Sequence, residues 1–514
     1  MDIEMNRRHF LIGGLGATAL ATTGYRLTTL SGSPATASSL RTFTGTKREM
    51  PIPPLLESAN GHPIELTMGH GEFELLPGVR TPTMGFNGPY LGPTVRVRDG
   101  QNVPVIYRNN CAEAVAVHGH GLHVPGEVDG GPQREIEPGG SWSLELPIRQ
   151  QASTSWYHPH THHKTGPQTY SGLAGMFIIE DENSNTLPLP KTYGVDDIPV
   201  IVQDRTFDEL GRLVYSIEDA EDGMLGDTIT TNGITNATRS VPAGLVRLRL
   251  LNGANARYFR FHFSDNREFH KIATDGGFLE EPVPIRELLM SPGERNEIVV
   301  DFSNGNPAML VSGPGTLAVN DDQRRDQDER DRRRIREPGG LGDSFEVLQL
   351  TVNPDFPAVR GSLPRQLNSI SRPTVQRSWP VRRFDLFMRD NRRRGVLGVL
   401  QDNTGMSMGI NRQMMDMQVI NERVRLGQWE RWIVNSFDGS HPFHVHGCSF
   451  LVVAQNGRPV ATEDAGWKDT VRVDDSAEFI VRFDHKATEQ FPYMYHCHIL
   501  EHEDRGMMGQ FTVT

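Results

Sequence analysis

In the short run Tyr495–Met508 the chain places Cys497, His502 and Met507 five residues apart, and His496 and His498 flank the cysteine on either side. A thiolate, an imidazole and a thioether on one loop need one more imidazole to complete a trigonal His₂Cys set with a weak axial methionine. That is the ligand set of a blue-copper electron-transfer centre. In extended chain, successive side chains alternate in direction, so His496 and His498 point away from the side that Cys497 faces. One peptide then serves one metal through its cysteine and a second metal cluster through its neighbours. Taken alone, an H-C-H triplet is equally well explained as ordinary core.

The metal reading gains force because histidine clusters recur three more times. Val117-His118-Gly119-His120 and Trp156-Tyr157-His158-Pro159-His160 each carry an H-x-H pair, and His441-Pro442-Phe443-His444-Val445-His446 precedes the cysteine segment. Residues i and i+2 of a strand face the same way, so each pair can clasp one metal or bridge two. Ten of the 19 histidines fall in these four segments. Thiolate, thioether and imidazole donors select copper or zinc, and redox-inert zinc has no need of so many ligands beside a Cys–Met pair. Copper fits the set.

The frame around these segments is a β frame. At 514 residues the chain exceeds a single core. Its 52 glycines and 34 prolines punctuate many short Val/Thr/Phe-rich runs, which favours β-sandwiches. Runs 94–100 and 103–109 read as strands of a first sandwich, and runs 246–252 and 296–302 as strands of a second that has no ligand cluster. There His262 and His270 read as structural. A net charge of −12 argues against nucleic acid as a partner. With three cysteines, Cys111, Cys448 and Cys497, no disulfide framework holds the fold, and Cys111 and Cys448 are expected as buried free thiols rather than a pair. Met406, Met408, Met414, Met415 and Met417 are expected to fill core rather than bind Cu(I). Segment 321–336 is almost wholly charged and reads as a solvated loop. At the start, Arg7-Arg8 before an apolar, glycine-broken run and small residues at Ala35-Thr36-Ala37 read as a twin-arginine export signal, since the run is short of a membrane span.

In order and spacing, the four segments resemble the copper motifs of the three-domain multicopper oxidases. The run Gly121–Pro132 and the tail His502-Glu503-Asp504 are similar to the periplasmic cuprous oxidases, within a branch that includes bilirubin-oxidase-like enzymes and spore-coat laccases. The resemblance covers nearly the whole mature chain and implies an all-β fold of three consecutive cupredoxin-like Greek-key β-sandwich domains. These are expected at 50–185, 190–355 and 371–514, after an export signal and leader at 1–45. It also implies four copper ions. His441, Cys497 and His502, with Met507 axial, would hold a type 1 copper, and His118 and His444 a type 2 copper. His120, His158 and His498 would hold one type 3 copper, and His160, His446 and His496 the other. The trinuclear cluster would lie between the first and third sandwiches, with the second as a spacer.

From the same resemblance, electrons from a reducing substrate would enter at the type 1 copper, pass through Cys497 to His496 and His498, and reduce O₂ to water. Glu503 and Asp129 match proton-relay acids, with orientation of imidazoles as the alternative role for each. His123, His162 and His163 stand beside the motifs as supporting or surface residues. Substrate is where the chain departs from the cuprous oxidases. Asp438 stands close to their substrate acid and Met388 matches one methionine of that site, but Gly439 and Ser440 stand where another methionine is expected, and the long Met-rich insert is missing. Laccase-like oxidation of phenols or aromatic amines is therefore expected first, with Cu(I) or bilirubin-like substrates as alternatives. A non-enzymatic, division-associated role, known for relatives that have lost their ligands, is the reading from a different class. Export to the periplasm or beyond by the twin-arginine machinery, no membrane span and a monomeric state complete the expectations.

Overall fold

The computed structural model describes residues 45–58, 62–216, 222–313, 341–390 and 406–514. The expected export signal, the charged segment 321–336 and residues 391–405 lie outside the described residues.

Six sheets pair into three cupredoxin-like β-sandwiches. Each closes over its own apolar core, because alternating strands bury one face of side chains against the facing sheet. In the first sandwich a four-stranded sheet faces a five-stranded sheet whose last strands are Gly175–Glu180, Ser153–Pro159 and Val117–His120. The expected strands 94–100 and 103–109 appear as Thr94–Arg98 and Asn102–Asn109 and belong to opposite sheets. The second sandwich pairs two six-stranded sheets; one of them takes in Arg48–Glu49 from the start of the described chain, and the other holds Leu245–Asn252 beside Arg295–Asp301. The third sandwich carries Met508–Val513, Tyr493–Cys497, His441–Val445 and Thr470–Val473 as neighbours in one sheet.

All three cysteines are buried and free. His262 and His270 lie half-buried in strands of the second sandwich, away from the histidine clusters. Met408 is core, whereas Met414, Met415 and Met417 are only partly covered. No helix among the described residues is long and apolar enough to cross a membrane.

Candidate metal centre

Strand register does most of the assembly. Val117–His120 and Ser153–Pro159 run antiparallel with His118 opposite His158, so both H-x-H pairs leave one sheet edge on one face. In the last sandwich His444 stands opposite His496 and Phe443 opposite Cys497. The alternation that carries His496 to one side therefore carries Cys497 to the other. The two sheets meet face to face. The ring of His118 stacks on His446 with centroids 3.8 Å apart, and His120 stacks on His444 at 3.6 Å. Each stack joins the first sandwich to the third.

On the Cys497 side, three donors form a near-equilateral triangle. His441 Nδ1 lies 3.4 Å from Cys497 Sγ, His502 Nδ1 lies 3.6 Å from it, and the two nitrogens are 3.3 Å apart. A centre of that triangle is about 2 Å from each corner, close to ordinary metal–imidazole and metal–thiolate lengths. Met507 is buried in the same aromatic-rich core as Cys497. Its backbone is tied to both partners: Cys497 N–H donates to Met507 O, and Met507 N–H donates to His502 O. The N–H of Ile499 points at Cys497 Sγ at 3.4 Å, a contact that favours thiolate, although burial pushes the free thiol up. All four side chains are essentially without solvent exposure.

On the other side, eight buried imidazoles converge. His446 Nε2 and His496 Nε2 are 3.3 Å apart, yet neither carries a proton to share. His446 Nδ1 is 2.7 Å from the Asp129 carboxylate and His496 Nδ1 is 3.0 Å from the Cys497 carbonyl, so each ring's proton sits on its outer nitrogen. Two lone pairs face each other, which is a metal-ligand arrangement and not a hydrogen bond. At the 3.3 Å contact of His120 Nδ1 with His498 Nε2 one ring is fixed: His120 Nε2 donates to Asp469, which leaves Nδ1 as an inward lone pair, while His498 Nδ1 is buried with no partner among the described residues. His118, His158 and His444 each give Nδ1 to a backbone carbonyl and keep a buried Nε2 with no partner. Donor atoms within 4.8 Å of one another group as His120, His158 and His498; as His160, His446 and His496; and as His118, His120 and His444. These groups, with the Cys497 triangle, hold every histidine expected as a ligand. The residues fit copper: neutral imidazoles in pairs and threes, a thiolate and a thioether, with inward nitrogens that nothing else satisfies.

Burial keeps His441, His444 and His160 neutral, which is the ligating form. It lowers His441 and His444 to about 4 and His160 to about 3. An unfolded chain takes up these protons near 6.5. Between those values the unfolded state binds more protons, so stability is present above about 6.5 and is lost as pH falls toward the folded values. Each such ring costs about 1.4 kcal/mol per pH unit in that window. The metal-free protein is expected to show a thermal midpoint that drops steeply from pH 6.5 to 4. A flat midpoint over that range, measured by calorimetry, contradicts neutral buried rings.

Both acids expected near the metals contact imidazoles of the histidine cluster. Glu503 lies 3.2 Å from His496 Nδ1 and 3.4 Å from His160 Nδ1, and accepts the Thr165 hydroxyl at 2.7 Å. Burial works against its charge, but the imidazoles beside it outweigh that and hold the carboxyl well below the usual range. Asp129 accepts from His446, and its Oδ1 is buried with no partner among the described residues. His123 Nε2 meets Ser449 at 2.9 Å, and His163 Nδ1 donates to the Asp504 carbonyl at 2.6 Å, so both tie the sandwiches together without ligating. The side chain of His162 is half-buried outside every donor group.

Sequence reading missed residues that support the ligands from elsewhere in the chain. Asp469 holds His120 through its carboxylate and His444 through its carbonyl. Gly293 of the second sandwich sits at φ +83°, and a Cβ there would be 2.8 Å from the His498 ring. Gly293→Ala combines left-handed strain with overpacking, and is expected to lower stability by about 1–3 kcal/mol. It should also reduce copper per chain, as read by thermal unfolding and metal analysis. Only its positive φ hints at that role, and a lone glycine in Pro292-Gly293-Glu294 reads as an ordinary turn.

Two sequence models described as multicopper oxidase match residues 67–184 and 389–514. Cell division protein FtsP of Salmonella typhimurium is 40% identical over 473 residues, covering 91% of this chain and 93% of its own. Its counterpart in Escherichia coli is 39% identical over the same length. Among solved structures, a bacterial laccase-like multi-copper oxidase, CueO, from Ochrobactrum sp., with oxidase activity towards lignin model compounds and lignosulfonate, superposes with a TM-score of 0.81. The two share 36% identity, over 90% of this chain and 100% of that one. McoA multicopper oxidase from Aquifex aeolicus gives 0.78 at 30% identity, over 91% and 100%.

Proposed function

Because the chain belongs to the multicopper oxidase family, we propose that it is a working four-copper oxidase, coupling one-electron oxidation of a small reducing substrate to reduction of O₂ to water. The observation that carries this reading is the convergence of buried donors: twelve ligand residues, none replaced, with buried ring nitrogens that face one another across 3.3 Å. His441, Cys497, His502 and Met507 would hold the type 1 copper, His118 and His444 the type 2, and the two histidine triads the type 3 pair. Copper, when bound, supplies the redox chemistry at both ends of the reaction.

The chain's own residues do the remaining work. The peptide His496-Cys497-His498 joins the two sites covalently, because strand alternation aims its cysteine one way and its histidines the other. Thr165 and the two imidazoles hold the Glu503 carboxylate where protons are consumed, and it passes them inward. Asp129 fixes the tautomer of His446 and keeps one buried oxygen open toward a proton or water. The closed walls exclude bulk water from the donors.

We assign the electron donor to the laccase class, phenols or aromatic amines, by analogy with the Ochrobactrum structure and its lignin-model substrates. One observation favours Cu(I) as a second substrate: Asp438 accepts the Met388 backbone N–H at 2.7 Å, which seats an acid beside a half-exposed methionine near His441. The names of the FtsP relatives favour a division-associated role. Copper analysis with oxygen uptake separates the three. Four coppers per chain with phenol-driven uptake supports the laccase-like reading, and Cu(I)-driven uptake alone moves the assignment to cuprous oxidase. A chain that takes up no copper ends the oxidase reading. Export by the twin-arginine route belongs to the same proposal, resting on Arg7-Arg8 and the apolar run that follows.

A further inference from the structure

The guanidinium of Arg295 is fully buried, and all its N–H groups are used. Nε donates to Thr154 O at 3.0 Å in the first sandwich. Nη1 donates to Gly293 O at 3.1 Å and Nη2 to Asp275 O at 3.3 Å in the second. The same two nitrogens grip the Asp469 carboxylate of the third, Nη1 to Oδ1 at 2.8 Å and Nη2 to Oδ2 at 2.5 Å. Such a planar, two-toothed grip is specific to arginine; a lysine ammonium cannot reproduce it. One side chain thus spans all three sandwiches.

What it grips matters more than what it spans. Asp469 Oδ1 accepts the Nε2 proton of His120 at 3.0 Å and the Thr470 hydroxyl at 2.9 Å. His120 departs from the rings that give Nδ1 to a carbonyl, since it presents Nδ1 inward and leaves Nε2 to be held. A ring held by its distal nitrogen turns easily unless the acceptor is itself fixed. Gly121, directly after His120, is shaped by the same contact: at φ +83°, a Cβ there would meet Arg295 Nη2 at 2.5 Å and Asp469 Oδ2 at 2.7 Å. Asp275 and Lys468, 3.3 Å apart, and Glu294, 2.6 Å from Lys468, surround the pair with buried charge. Removing the arginine therefore leaves a carboxylate surplus beside the histidines.

We propose that Arg295 is a positioning residue for the trinuclear copper site, acting through Asp469 to fix the tautomer and ring angle of His120. The middle sandwich, whose described residues contribute no ligand, would set the ligand geometry at one type 3 position by this route. The inference rests on the four-copper reading above.

The test is Arg295→Lys in the full chain, loaded with copper beside the wild type. Three quantities are read: copper per chain, the near-ultraviolet absorption of the coupled type 3 pair, and the visible band of the type 1 site. The expected result is loss of the type 3 absorption, or uncoupling of the pair seen by electron paramagnetic resonance, with the type 1 band retained. Turnover should fall about 10- to 100-fold, with KM for the reducing substrate unchanged. Full copper, an unchanged type 3 signal and turnover within twofold of wild type overturn the proposal. Loss of both bands together with a collapsed thermal midpoint also overturns it, in favour of a purely structural ion pair. Where Arg295→Lys yields no folded protein, Asp469→Asn carries the same test, since Arg295 keeps its carbonyl acceptors; an unchanged type 3 signal there overturns the proposal and its loss supports it. A wild-type chain that takes up no copper sinks the four-copper reading and this inference together, whereas a failing variant beside a copper-replete wild type sinks the inference alone.

Discussion

Cys497→Ser is expected to abolish the visible blue band, leave three coppers per chain and reduce oxygen uptake by more than the roughly 100-fold that loss of a supporting residue costs at metal sites. Serine matches cysteine in size, so the core around Trp432, Phe384 and Phe443 keeps its packing and the fold survives. The hydroxyl is a poor donor for soft copper, and the His441–His502 pair that remains lacks its third equatorial ligand. The electron route is cut at its first atom as well, because the sulfur joins the donor triangle directly to the peptide leading to His496 and His498. Absorption spectroscopy and metal analysis check the result. A retained band assigns the colour elsewhere, and loss of all four coppers makes the two sites one cooperative unit.

Glu503→Gln is expected to lower turnover by about 10²- to 10⁴-fold, the range for loss of a positioned proton donor or acceptor. Copper content and KM for the reducing substrate should stay as in the wild type. The amide keeps the volume of the side chain and still accepts the Thr165 hydroxyl, so the helix Leu500–Asp504 stays docked. An amide does not cycle a proton at working pH. Were the acid only an anchor for His160 and His496, the substitution would show first as missing type 3 copper, with turnover falling in proportion to occupancy. Turnover per bound copper is thus the deciding quantity. A drop confined to occupancy assigns Glu503 to orientation.

Most of the donor set was legible because it obeys local rules. An H-x-H pair encodes a shared face in two letters, and the H-C-H triplet encodes opposite faces in three, whatever surrounds them. The β class was legible from turn residues spaced between apolar runs. Asp469 was not, because Lys468-Asp469-Thr470 reads like any polar strand entry, and its partners His120 and Arg295 lie 349 and 174 positions away. Arg295 begins a strand whose first six residues, polar and apolar alike, are buried, a pattern that sheet alternation does not anticipate. Burial there comes from contact between sandwiches, and no local pattern records it. The partly covered Met414, Met415 and Met417 have the same cause: their segment runs over the turn at Gly506, where Met415 N–H meets the Gly506 carbonyl, and does not enter the core.

The stacks of His118 on His446 and His120 on His444 draw on opposite ends of the polypeptide. A ribosome that has made the first half of the chain has produced four ligands and no binding site. The metal's free energy is gained only after the last segment is synthesised and docked, so copper reports completion. A truncated or misdocked chain cannot assemble the histidine cluster that the first and third sandwiches share, so metal uptake at that cluster would act as a proofreading step in the protein's own maturation.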